Sequence, residues 1–212
     1  MKPQVNPNHY SGSPYESKER FISYWHQINE IILLKPLLLL DIGIGNGFVS
    51  RYLREHNLNV TTLDNNHDLH PDAVGSVLSI PFCDECFDVV SCCEVLEHLP
   101  YSVFSDALKE MRRVSRNYVI LSLPDVTTIY KINLELPRIQ SIKKLIIHPF
   151  HRPKDHLFDG QHYWEIGKTG YSREKIDDDI KRSGIKIINT YRIFEFTYHR
   201  IYLLKKGGDS DE

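Results

Sequence analysis

The 212-residue sequence predicts an α/β protein with a mostly parallel sheet whose last two strands form an antiparallel hairpin. Three stretches carry that reading. Leu37-Leu38-Leu39-Leu40 is a short apolar run that stops at Asp41 and enters Gly43-Ile44-Gly45-Asn46-Gly47, the pattern of a buried parallel strand delivering its carboxyl end into a tight turn. Asn59 to Leu63, closing on Asp64, repeats the strand-then-acid pattern. Ile185 to Phe196 and Arg200 to Leu204 read as two final strands joined by a bend at Thr197 to His199.

Taken in order, residues 1 to 17 hold Pro3, Pro7, Gly12 and Pro14 among polar residues and read as an irregular arm. Lys18 to Leu34 places Phe21, Ile22, Trp25, Ile28, Ile31 and Ile32 at helical intervals, an amphipathic helix ended before Pro36. After the first strand, glycine is needed because it tolerates positive φ and lets the backbone approach a ligand closely. Val49, Tyr52 and Leu53 then open a helix, so strand, turn and helix begin a nucleotide-binding unit. The dinucleotide fingerprint G-x-G-x-x-G would need glycine where Phe48 stands. Asp41 would repel a pyrophosphate but could pair with a cationic amino group. Asp64 is placed to accept hydrogen bonds from ribose hydroxyls. Phe87 to Ser91 and Tyr118 to Leu123 are further buried strands. Between them Ser105 to Val114 is a helix with Ala107, Leu108 and Met111 in register and Arg112, Arg113 and Arg116 near its end, where cations suit the dipole. Ser172 is placed to cap a helix through Lys181, broken at Gly184.

Residues 125 to 171 are too many for a simple crossover and predict an inserted lid or substrate segment. It holds Tyr130, Leu134, Leu136, Leu145, Ile146 and Ile147. Lys131, Arg138, Lys143, Lys144, Arg152 and Lys154, against Glu135, make it locally basic. That is either a solvated face or a cradle for a phosphorylated or otherwise anionic substrate.

A hydrophobic content of 41% with 25% charged residues suits one globular domain. A net charge of -2 gives no global attraction for nucleic acid or membrane, so a polyanion partner would need a local patch. Met1-Lys2-Pro3-Gln4 lacks the apolar core of a signal peptide, and no run approaches the roughly eighteen apolar residues of a membrane span. The expectation is a cytoplasmic protein. Cys83 and Cys86 precede a strand while Cys92 and Cys93 leave it. At about 3.3 Å per residue the pairs sit on the order of 20 Å apart, too far for one zinc ion. Reduced packing residues are expected.

Asp41-Ile42-Gly43-Ile44-Gly45-Asn46-Gly47 resembles motif I (D/E-x-G-x-G-x-G) of the class I S-adenosylmethionine-dependent methyltransferases, and Asp64 agrees with their motif II. Gly75 to Phe82, Phe87-Asp88-Val89-Val90 and Glu94-Val95-Leu96-Glu97-His98-Leu99 are similar to the type 11-like subgroup, in which "lPF-x-D-x-x-FDvV" and "evLEHL" occur in this order. The resemblance covers residues 37 to 204 and implies a three-layer Rossmann-like methyltransferase sandwich with a seven-stranded sheet. It further implies an N-terminal arm and helix (1–36) that lids the cofactor or merely packs on the sheet, the insertion at 125–171, and a flexible tail at 205–212. The implied cofactor is S-adenosylmethionine. Asp41, Gly43, Gly45 and Gly47 would hold its methionine end, Asp64 the ribose and Ser76 and Val77 the adenine side, with Glu94 facing the reaction. Ser76 departs from the Asp common in the subgroup. A hydroxyl is the weaker acceptor, which would leave the adenine amino group to Asp84, a backbone carbonyl or water.

Catalytic groups should lie at the carboxyl edge of the sheet. Glu94, Glu97 and His98, at i, i+3 and i+4, would share one face of a following helix. This pattern resembles the metal-binding motif of small-RNA 2′-O-methyltransferases and is also seen in ubiquinone-pathway O-methyltransferases. It implies a divalent cation on Glu94, Glu97, His98 and either His156 or His162, lowering the pKa of an acceptor hydroxyl. In the alternative, Glu94 and His98 support the cofactor loop by hydrogen bonds, and His162 or His156 serves as general base, with Tyr163 and Trp164 walling the acceptor pocket. Ser91-Cys92-Cys93-Glu94 is not the Asn/Asp-Pro-Pro-aromatic motif of amino-methylating enzymes, which favours an oxygen acceptor on a small molecule or sugar, with RNA as a further alternative. Two other classes compete: a catalytically silent cofactor-binding partner, and a nucleotide-dependent oxidoreductase, which Phe48 and the terminal hairpin disfavour.

Overall fold

The computed structural model describes residues 16–135 and 141–207. The expected arm before residue 16, Leu136 and Arg138 of the insertion, and the tail after residue 207 lie outside them. Helix α1 (Lys18–Leu34) starts at Ser17, whose side chain accepts from the Arg20 N–H. Strand β1 (Leu38–Ile42), helix α2 (Phe48–Glu55) and strand β2 (Asn59–Asp64) follow as their patterns require. A two-residue strand β3 (Ala73–Val74) precedes β4 (Phe87–Cys93), α3 (Phe104–Val114) and β5 (Ser115–Pro124). After the ribbon β6 (Ile129–Leu134) and β7 (Ile142–Ile147), α4 (Arg173–Arg182) is capped by Ser172, and β8 (Ile185–Arg192) and β9 (His199–Lys206) close the chain.

The main sheet runs β3-β2-β1-β4-β5-β9-β8. β1 to β5 pair in parallel along that order, whereas β9 is antiparallel to both β5 and β8. Alternate residues of the strands feed two cores. Leu39, Val60, Val89 and Ile120 face α1 and α2, while Leu40, Val90, Val119 and Leu121 face α3 and α4. Such residues alternate across a pleated sheet, and each fully buried aliphatic contributes about 1.5–3 kcal/mol. The result is the expected three-layer, seven-stranded sandwich.

The insertion is tied to this frame at both ends. Asp125 is buried between two guanidinium groups, with Arg200 Nε 2.8 Å and Arg192 Nη1 3.5 Å from its carboxylate. Arg192 also donates to the Asp125, Thr127 and Thr197 carbonyls, which pins the bend between β8 and β9. Strand β8 therefore stops at Arg192 rather than at Phe196. At the other end Trp164 is fully buried among Tyr101, Phe104 and Tyr171, and its indole N–H donates to the Leu99 carbonyl. Trp164 is thus a core residue and not a wall of the acceptor pocket.

Two expectations need correction. Cys83 and Cys86 form a disulfide, because the turn at Asp84-Glu85 brings their Cα atoms to 5.6 Å, within disulfide range; Cys92 and Cys93 are free. The segment after β4 is not an α-helix. Glu94 takes a left-handed φ of 54°, and a single 3₁₀ turn, Leu96–His98, follows. Glu94 stands before that turn, near enough for its charge to act on the Glu97 carboxyl.

Candidate active site

The carboxyl ends of β1, β2 and β4 open into a cavity of about 630 Å³. Gly43 turns the chain there with φ 81°, its N–H bonded to the Leu63 carbonyl at 2.8 Å, and Gly45 has φ 52°. Asp41, Gly43, Gly45, Asp64, Ser76, Val77 and Glu94 all line the cavity. Gly47 does not; with φ 69° it precedes α2 and shapes the turn from behind. Burial raises the Asp41 carboxyl to about 7, a hydrogen bond from Ser91 only partly offsetting it. Asp64 accepts from the N–H groups of Ile44 and Asn66 at 3.0 and 2.8 Å, which locks the turn to β2. Its carboxyl is nonetheless raised, burial outweighing those bonds.

The Ser76 hydroxyl accepts from the Leu78 N–H at 3.2 Å. Asp84 is no substitute at the adenine side, because it lies outside the cavity in an ion pair with Arg113 at 2.8 Å. Helix α1 touches both the sheet and the cavity. Ile28 and Ile31 pack on the sheet, and Arg20, Tyr24 and Gln27 line the cavity, with the Tyr24 hydroxyl accepting from the Asn46 amide.

Opposite the glycine turn stands a polar cluster that sequence patterns only partly disclosed. His162 lines the cavity, with Nδ1 3.1 Å from Glu165 Oε1. The Tyr198 hydroxyl lies 3.2 Å from the same nitrogen and donates to the same carboxylate. Burial pushes the Glu165 carboxyl up, but the bonds from His162 and Tyr198 outweigh it, and Glu165 is held below the usual carboxylate range. The His98 ring meets the His162 ring edge to face, and its Nδ1 is 3.1 Å from the Gln161 carbonyl. Burial lowers the His98 imidazole.

Glu97 is fully buried, neither carboxylate oxygen has a hydrogen-bond partner, and burial followed by the Glu94 charge raises its carboxyl far above normal. Glu94 bonds the Ser122 hydroxyl and approaches His199 Nε2 at 3.1 Å, too bent for a hydrogen bond. His199 is itself buried, with Nδ1 2.7 Å from the Ser23 hydroxyl. His156 lies outside the cavity, its Nε2 bonded to the His162 carbonyl at 2.8 Å, so it braces the His162 loop. Among the described residues, the group whose ligand atoms lie within 4.8 Å of one another is Glu97, His98 and His162. Glu94 and His156 are not in that group. Tyr198, His199 and Glu165 were missed, although the i, i+3 spacing of His162 and Glu165 was visible.

A parallel sheet with one reversed strand, and a glycine-turn cavity floored by a buried acid, defines a class I S-adenosylmethionine-dependent methyltransferase fold. Residues 40–122, less than half of the chain, match the family model described as a methyltransferase domain. An uncharacterized protein of Methanocaldococcus jannaschii is 32% identical over 88 residues, 39% of this chain and 38% of that protein. The match thus spans well under half of that curated relative. Among solved structures, magnesium protoporphyrin IX methyltransferase from Synechocystis PCC 6803 with bound S-adenosylhomocysteine is similar at TM-score 0.62 and 15% identity, covering 94% of this chain and 92% of that one. The PH0226 protein of Pyrococcus horikoshii OT3 gives 0.59 and 14%, over 94% and 98%. The 1,6-didemethyltoxoflavin-N1-methyltransferase of Burkholderia thailandensis gives 0.57 and 12%, over 98% and 93%. At these identities the likenesses establish the fold. No helix among the described residues is long and apolar enough to cross a membrane.

Proposed function

We propose that the chain transfers a methyl group from S-adenosylmethionine to an acceptor oxygen of a small molecule or sugar, with His162 as general base. The single observation that carries the base is the Glu165-held His162 ring in the cavity wall. The cofactor fits what the cavity offers: a buried carboxyl at Asp41 suited to a cationic amino group, Asp64 for ribose hydroxyls, and Phe48 where a pyrophosphate site needs glycine. When bound, S-adenosylmethionine supplies a methyl group on a sulfonium, already a good leaving group. The chain's own work is orientation and proton removal. Glu165 takes the His162 Nδ1 proton in a hydrogen bond and so presents Nε2 to the acceptor hydroxyl. That nitrogen receives the hydroxyl proton as the oxygen becomes nucleophilic, and ionised Glu165 stabilises the imidazolium. Structural neighbours solved with S-adenosylhomocysteine support the cofactor reading.

Calorimetry with S-adenosylhomocysteine tests it. Asp41 titrates at about 7 in the free protein, and pairing with a cation lowers that value, so binding releases a proton. Affinity should therefore be full above pH 7 and fall about tenfold for each pH unit below it. Asp41→Asn should flatten that dependence. Absence of heat at pH 8 sinks the cofactor assignment.

A second reading is favoured by the orphaned Glu97 oxygens beside His98 and His162. These three residues would hold a divalent cation, with Gln161 and Glu165 orienting the two imidazoles from behind. It would acidify the acceptor hydroxyl, and the RNA 2′-O alternative goes with it. On this reading a chelator stops turnover, magnesium or manganese restores it, and Glu97→Gln removes manganese binding seen by electron paramagnetic resonance. Turnover indifferent to chelation, with no manganese bound, leaves His162 as base alone.

A further inference from the structure

The ribbon β6–β7 carries a face with no partner among the described residues. Tyr130 pairs with Ile146, Ile132 with Lys144 and Leu134 with Ile142, and directly opposed residues share a face. All but Lys144 are large and apolar, and these five are exposed by between 39% and 52%. The reverse face is partly occupied: Lys131 and Lys143 lie over the Phe194 ring and Lys143 pairs with Glu195 at 2.7 Å, while Ile147 at its end stays exposed. Beyond β7, Phe150 and Leu157 are more exposed still, with exposed Arg152 and Lys154 between them. The strip ends at Phe158, whose ring meets that of Tyr163 on the cavity wall at 4.6 Å.

We infer that this strip docks on an anionic lipid surface, at which the cavity meets its acceptor. Charge selects that occupant. The chain has a net charge of -2, yet along this strip Lys144, Arg152 and Lys154 stand against only Asp155. Apolar side chains interleaved with cations match the acyl and anionic headgroup layers of a bilayer surface. Tyr130 supplies a ring with one apolar and one wet end, as at membrane interfaces. A second copy of the chain fits less well, because two such faces brought together would bury Lys144 in the shared apolar layer with no acid on either face. Contact of this kind is peripheral and needs no spanning helix. It makes amphiphiles with an exposed hydroxyl the acceptors that the Tyr163 side of the cavity would receive. That consequence rests on the methyl-transfer reading, whereas the docking itself does not.

Flotation of the full chain with vesicles tests the docking. Phosphatidylcholine vesicles containing phosphatidylglycerol should carry the protein, phosphatidylcholine alone should not, and added salt should release it. Lys144→Glu should weaken binding roughly tenfold or more, and Ile132→Asp combined with Ile146→Asp should abolish it. Both variants should keep wild-type affinity for S-adenosylhomocysteine and the same melting temperature. That control separates docking from folding and from the cofactor assignment. Failure to float with anionic vesicles, equal flotation of wild type and variants, or a wild-type dimer that Ile132→Asp dissociates would each overturn the inference.

Discussion

His162→Ala is expected to bind S-adenosylhomocysteine as tightly as the wild-type protein and to turn over about 10²–10⁴ times more slowly, the usual contribution of a positioned base. The separation follows from where the ring sits. The glycine-turn side of the cavity is built by β1, β2 and the 75–77 loop, whereas His162 arrives from the insertion, held by Glu165 and Tyr198. Because the backbone at Trp164 is anchored in the core, removing the imidazole should leave the loop in place. Glu165→Gln should keep the ring where it is but remove the negative charge that stabilises its protonated form. Its rate loss should then be smaller than that of His162→Ala and should be seen in kcat rather than KM. An Ala protein that turns over at the wild-type rate would remove His162 from the chemistry.

Gly43→Val is expected to abolish cofactor binding, with affinity for S-adenosylhomocysteine falling at least about a hundredfold and the fold losing about 2–4 kcal/mol. Two physical effects add. At φ 81° a side chain strains the backbone, and a Cβ would stand 2.3 Å from Val95 Cγ2. The turn has no room to yield, since the Gly43 N–H is bonded to Leu63 and Asp64 holds Ile44. Gly170→Ala is the control. It has φ 80° but nothing within 4 Å of the added carbon, so it should cost some stability and leave affinity intact. Calorimetry and thermal unfolding read both variants, and wild-type affinity in Gly43→Val would show that the turn does not shape the site.

The readings that held are those set by neighbours in sequence. The helix from Lys18 to Leu34, the strand that carries Asp41, the second strand ending at Asp64 and the Ser172 cap each depend on a short stretch of apolar spacing or on one capping hydroxyl. The Cys83–Cys86 bond escaped because a two-residue turn, not composition, decides whether two thiols meet. The turn after β4 escaped because Glu94-Val95-Leu96-Glu97-His98 fits a helical period, yet the Glu94 carboxylate has a partner outside that period. It is drawn instead to the Ser122 hydroxyl on the neighbouring strand.

By itself, then, the sequence determined the class of fold and the glycine-turn side of the cavity, since that turn and its flanking acid lie within a few residues of one strand end. The opposite side was assembled by tertiary structure. Ser23, Glu94, His162, Glu165, Tyr198 and His199 come from the first helix, the fourth strand's exit, the insertion and the last hairpin. What gathers them is burial of Trp164 in the core and of Asp125 between Arg192 and Arg200. Those are long-range packing and charge-pairing events, and no local periodicity encodes which distant partners will meet.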